Sequence, residues 1–114
     1  MAFAIRRDGD GELCGFVADD DGEWIATTVF GGHLGTHATR DSAETQIRME
    51  GLASLAEHWT LVDGPSGAEQ VVCIQESGPA GVTVALDYYS LPGVPTLTIS
   101  REDIASGRWT LRKR

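Results

Sequence analysis

The chain is poor in most of what chemistry needs. It has two cysteines, Cys14 and Cys73, one lysine, and no long apolar run. Two cysteines are too few for a disulfide scaffold, and in β-like runs a free cysteine acts as a small apolar side chain. No stretch approaches the roughly 20 apolar residues that span a bilayer. Residues 1–7 have no basic segment ahead of their apolar stretch, which argues against a secretory signal. The expected location is therefore the cytoplasm, with no membrane partner. There is no Cys-x-x-Cys, no His-Glu-x-x-His, no Gly-x-Ser-x-Gly and no Gly-Lys-Ser/Thr. These absences remove the familiar local signatures of zinc, nucleophile and phosphate sites. No cofactor or metal is expected.

Positive charge is scarce as well. The formal net charge is −8 over 114 residues. Residues 1–57 hold 11 acids and 4 arginines, while residues 58–114 hold 6 acids and 5 bases. Such a surface repels nucleic acid over most of its extent, because neutralising phosphates takes a run of Lys and Arg. Only residues 108–114 offer one, with Arg108, Arg112, Lys113 and Arg114, and they read as a basic end that frays. Eight arginines against one lysine reflect the codon bias of a GC-rich bacterial or phage genome.

What is present is acidic and turn-like. Asp8-Gly9-Asp10-Gly11-Glu12 and Asp19-Asp20-Asp21-Gly22-Glu23 each lie between short apolar runs. Asp-Gly flanked by β-formers signals a hairpin, since both residues tolerate positive φ. The pair predicts an opening three-stranded meander: Phe3 and Ile5, then Leu13–Ala18, then Trp24–Phe30. Calcium binding does not follow. An EF-hand loop needs glycine at position 6 and glutamate at 12. Counted from Asp8 those positions are Leu13 and Asp19; counted from Asp19 they are Trp24 and Phe30.

Gly31, Gly32 and Gly35 read as a loop, with His33 and His37 as polar loop residues. Asp41, with Glu44 three residues on, predicts a helix start. The helix is expected to run to about His58, with Met49, Leu52, Leu55, Ala56 and Trp59 on one face and Ala43 and Ile47 off it. Gly51 predicts a kink, or an end and a restart. Later apolar runs give strands at Trp59–Val62, Glu69–Gln75, Val82–Tyr89, Leu97–Ile99 and Trp109–Leu111, with one helical turn over 100–105.

The fold expected is a single α+β domain over 1–114. It has a mainly antiparallel twisted sheet of about seven strands, with one principal helix packed on one face. The function expected is a small non-enzymatic interaction module. It would bind a protein partner or a second copy of itself through an open sheet edge or an apolar face bearing Tyr88, Tyr89 and Leu91. One alternative is an acidic inhibitor that mimics nucleic acid. It would use Asp8, Asp10, Glu12, Asp19, Asp20, Asp21 and Glu23 if the two tips come together. Another is a small enzyme or ligand binder built on Cys73, Asp87 or the histidines, with Glu76 and Asp87 lining a pocket.

Overall fold

The computed structural model describes residues 2–89 and 91–114. Met1, part of the N-terminal stretch read above, lies outside them. Nine strands form one sheet: β1 (Ala2–Arg6), β2 (Leu13–Asp20), β3 (Glu23–Thr27), β4 (His33–His37), β5 (His58–Asp63), β6 (Glu69–Gly78), β7 (Gly81–Ala85), β8 (Thr96–Ser100) and β9 (Trp109–Lys113). Helix α1 spans Arg40–Glu50, a 3-10 turn spans Ala53–Ala56, and a short α2 spans Arg101–Ala105. The spatial order is β1-β2-β3-β4-β9-β5-β6-β7-β8. Two meanders, β1–β4 and β5–β8, thus lie on either side of β9. Every neighbouring pair is antiparallel except β4 and β9, which run parallel and share a single rung, His33 opposite Arg112.

The opening meander follows from its turns. Asp21 and Gly22 have φ of +53° and +88°, and Asp20 pairs with Glu23 across them. Two positive φ values make the hairpin turn whose twist matches that of the strands. Alternation buries Ile5, Val17 and Ala26 against Ala43 and Ile47 of α1, with Cys14 in the same cluster. The second meander buries Trp59, Leu61, Val72, Val82, Val84 and Ile99 with Leu111 of β9, and Val29 and Phe30 of the β3–β4 connection pack into that cluster. Leu34 touches both clusters and joins them. Arg101 ties α2 to the first half: its guanidinium lies over the Phe16 ring and donates to the Val29 carbonyl at 3.0 Å.

Four expectations need correction. The sheet has nine strands, not about seven, because the glycine-rich segment forms β4 and the β4 histidines sit on a strand. The basic end is not frayed: it is β9, the strand between the two meanders, with Leu111 buried opposite Leu61. The helix stops at Glu50, and the N-cap is Thr39, whose side chain accepts from the Ser42 amide, rather than Asp41. Its buried face is Ala43 and Ile47, while Met49 is 75% exposed. The face assigned from sequence ran the helical period through a break, because Leu52, Leu55 and Trp59 lie beyond the helix end.

Candidate interaction surface

The β7–β8 connection is the most unusual surface feature. Leu86 donates its amide to the Pro95 carbonyl at 2.8 Å, adding a rung beyond the strands. The connection then leaves the ladder and is pinned at Tyr88. The Tyr88 carbonyl accepts from His58 Nε2 at 2.7 Å and from Cys73 Sγ at 2.9 Å. A carbonyl can only accept, so His58 carries a proton on Nε2. The Tyr88 ring stacks on the His58 ring, centroids 3.9 Å apart, and Tyr89 meets Tyr88 edge-on at 4.9 Å. Asp87 accepts the Tyr88 amide at 2.6 Å, and Gln70 donates to the Leu86 carbonyl at 2.7 Å.

Strand period explains the anchors. His58 and Cys73 are direct partners in the β5–β6 ladder, on the face opposite the one that buries Trp59 and Val72. Cys73 is in turn opposite Ala85, a residue of that same face that is nevertheless buried. The alternation of His58 with Trp59, and of Cys73 with Val72, is the signal that could have found these anchors in sequence. Above them Tyr88, Tyr89 and Leu91 stay 47%, 62% and 61% exposed. The remaining exposed large hydrophobic residue among those described is Met49, on α1.

The acidic turns do not gather. One joins β1 to β2 and the other joins β2 to β3, so they lie at opposite ends of β2. An eight-residue strand separates them by about 23 Å. Asp8, Asp10 and Glu12 are therefore remote from Asp19, Asp20, Asp21 and Glu23, and the condition for one mimic surface is not met. Within the first turn Asp10 also pairs with Arg7. That hydrogen bond, with a second from the Glu12 amide, holds the Asp10 carboxyl down at about 2.

The other polar cluster closes the seam between β4 and β9. His37 is held by Ser42 Oγ at 2.7 Å and Gln46 Oε1 at 2.6 Å, and Gln46 donates to the Leu34 carbonyl at 3.2 Å. Ser42, Gln46 and Glu50 recur every four residues along α1, a pattern visible in sequence. Lys113 of β9 reaches Glu50 at 3.0 Å and Glu57 at 3.3 Å. The Lys113 hydrogen bond, then that of Gln46, lowers the Glu50 carboxyl, and the Glu50 bond raises the Lys113 amine. A lowered carboxyl stabilises the fold above its ordinary range and loses that contribution as the pH falls through its folded value. A raised amine stabilises below its ordinary range and fails as the pH rises through its folded value. Lys113→Met should therefore lower the melting temperature at pH 7, and the gap to the parent should close as the pH falls below the ordinary carboxylate range and through the lowered Glu50 value. The effect is small, below about 1 kcal/mol, as for other solvent-exposed pairs. Thermal denaturation against pH reads it.

Of the groups considered for catalysis, Cys73 and Asp87 do meet, around Tyr88, but each is spent on its backbone. Glu76 instead lines an open groove of about 510 Å³ at the β6–β7 hairpin, with Thr83, Thr98 and Asp103. His33 and His37 do not meet: the register shift in β4 turns them to opposite faces, His37 toward α1 and His33 onto Thr36 at 3.2 Å. Among the described residues no three His, Cys, Asp or Glu side chains converge. Among the described residues no helix is long and apolar enough to cross a membrane. Compared with known proteins, the chain matches no family model, no curated protein and no solved structure.

Proposed function

We propose that this chain is a non-enzymatic protein-interaction module that meets a protein partner through the Tyr88-Tyr89-Leu91 loop. One observation carries the reading: three of the four exposed large hydrophobic residues described share one loop, and that loop is fixed from below. Scattered apolar residues on a surface need no explanation, whereas a cluster does. Tyrosine supplies large contact area at low entropic cost and is enriched among residues that dominate binding energy. The His58 and Cys73 bonds reduce the ordering cost a floppy loop would carry into the complex.

The test is the double variant Tyr89→Ala, Leu91→Ala. Neither side chain is in the core, so its melting temperature should stay within a few degrees of the parent. Affinity for the purified physiological partner should fall at least about 30-fold, the loss of roughly 2 kcal/mol typical of a dominant contact. Unchanged affinity, measured by titration calorimetry, would remove the loop from the interface.

A further inference from the structure

The sheet has two open edges, β1 and β8. They are not alike. β1 is interrupted by a bulge between Ile5 and Arg6 and ends on that arginine, two of the devices that keep edges from pairing. β8, Thr96-Leu97-Thr98-Ile99-Ser100, has no charge, no proline and an unbroken register with β7.

The phase of its hydrogen bonds can be fixed. Leu86 donates to Pro95 at one end of the β7–β8 ladder, and Arg101 donates to Ala80 at 2.9 Å at the other. Bonded pairs alternate in an antiparallel ladder, so the intervening bonded pairs are Val84–Leu97 and Val82–Ile99. The backbone groups of Thr96 and Thr98 and the Ser100 amide therefore point away from β7, to the open edge. Side chains do not block it, as Thr98 Oγ1 is engaged inward with Thr83 Oγ1 at 3.0 Å.

We infer that β8 is a self-association edge, pairing antiparallel with β8 of a second copy about a two-fold axis at Thr98. In that register Thr98 exchanges both backbone bonds with the second copy's Thr98. On either side the Ser100 amide donates to the opposing Thr96 carbonyl. Leu97, half-buried in the single chain, falls opposite the second copy's Ile99 and gains an apolar cross-strand neighbour. Isologous contacts of this kind are self-complementary by construction.

Charge favours a second copy as the occupant. An uncharged strand offers nothing to steer a charged peptide, and two copies of a net −8 chain would ordinarily repel. Most of that charge, however, is carried by the other half of the chain, where residues 1–57 hold 11 acids against 4 arginines. The half that holds β8 carries 6 acids against 5 bases. The tyrosine loop leads into this edge through Pro95, so the loop variant is included below to tell the two readings apart.

Analytical ultracentrifugation of the full chain tests it, from about 10 µM to about 1 mM, since an interface this short is a weak one. The parent should pass from the 12.2 kDa monomer to twice that mass as concentration rises. Thr98→Lys and Thr98→Glu each put like charges directly opposite across the axis, and each should stay monomeric. Their equal mixture should regain the dimer, which also shows that both variants are folded. The Tyr89→Ala, Leu91→Ala variant should dimerise as the parent does. A parent that is monomeric throughout, a dimer that survives Thr98→Lys, or a mixture that stays monomeric overturns the inference.

Discussion

Trp59→Ala should cost about 3–5 kcal/mol of stability, a large share of the roughly 5–15 kcal/mol a small domain has. The residue is fully buried at the start of β5, where strands from the second meander meet the β3–β4 connection. Its ring lies edge-on to Phe30, centroids 5.5 Å apart, and a Cβ on Gly32 would come within 3.0 Å of it. No neighbour can fill the void by a simple rotamer change, since Phe30 is itself fully buried. The indole also donates to the Ser54 carbonyl at 2.9 Å, fixing the 3-10 turn beneath β5. Urea denaturation should show the loss as a lower midpoint, with melting down by roughly 15–30 °C. Trp59→Phe should cost less, because it keeps a ring against Phe30 and removes only the donor and part of the volume. A loss under about 1 kcal/mol for the alanine variant would mean that the second cluster does not hold the sheet together.

Gly51→Ala should destabilise by about 1–3 kcal/mol, against the rule for its position. The residue has φ −54° and ψ −54°, an ordinary right-handed helical conformation. Alanine there would normally gain about 1 kcal/mol from helix propensity alone. A Cβ at this position, however, would sit 2.4 Å from the Cys14 carbonyl oxygen of β2. The end of α1 rests directly on that backbone, so an added methyl must push helix and strand apart and open the cluster around Ile47 and Val17. Chemical denaturation of the variant decides the sign. A more stable Gly51→Ala would mean that the helix end is free to lift.

Gly51 also shows where the sequence was readable and where it was not. Its helix-breaking cost marks the end of α1, and the helix does stop there. The reason it is glycine lies on another strand, 37 positions earlier, and no local pattern reports it. The same holds for Gly35, whose missing Cβ makes room for the Gln46 amide 2.5 Å away. Gly31 and Gly32 do lie in the turn before β4, as read; Gly35 alone is in the strand, where the missing side chain lets β4 pass close to α1. The acidic turns were legible because turn chemistry is local: Asp-Gly with positive φ orders β1, β2 and β3. Their separation was legible too, since successive turns of a meander lie at opposite ends of the strand they share. β9 shows the limit met at Gly51. The alternation of Trp109 with Leu111 gives a strand, but its seat between β4 and β5 depends on pairing far along the chain, His33 with Arg112 on one side and Leu61 with Leu111 on the other.

The interaction loop was half legible. Tyr88, Tyr89 and Leu91 stand out as apolar residues next to Pro92 and Gly93, where chain direction must change. What makes them a surface rather than a loose connection is His58 and Cys73, contributed by two other strands. Those anchors turn a sequence feature into a fixed aromatic tip, and the proposed function rests on that fixity.

Site-specific photo-crosslinking in the native host reads the surface directly. A photoreactive residue replaces Tyr89 in one version, Leu91 in a second and Met49 in a third. Met49 serves as the control because it is the remaining exposed large hydrophobic residue described, and it belongs to α1 and not to the loop. If the tyrosine loop is the interface, positions 89 and 91 should yield the same discrete adduct with one protein, and position 49 should not. Adducts at position 49 equal to those at 89 and 91, or none at 89 and 91 at all, would contradict an interaction module built on this loop.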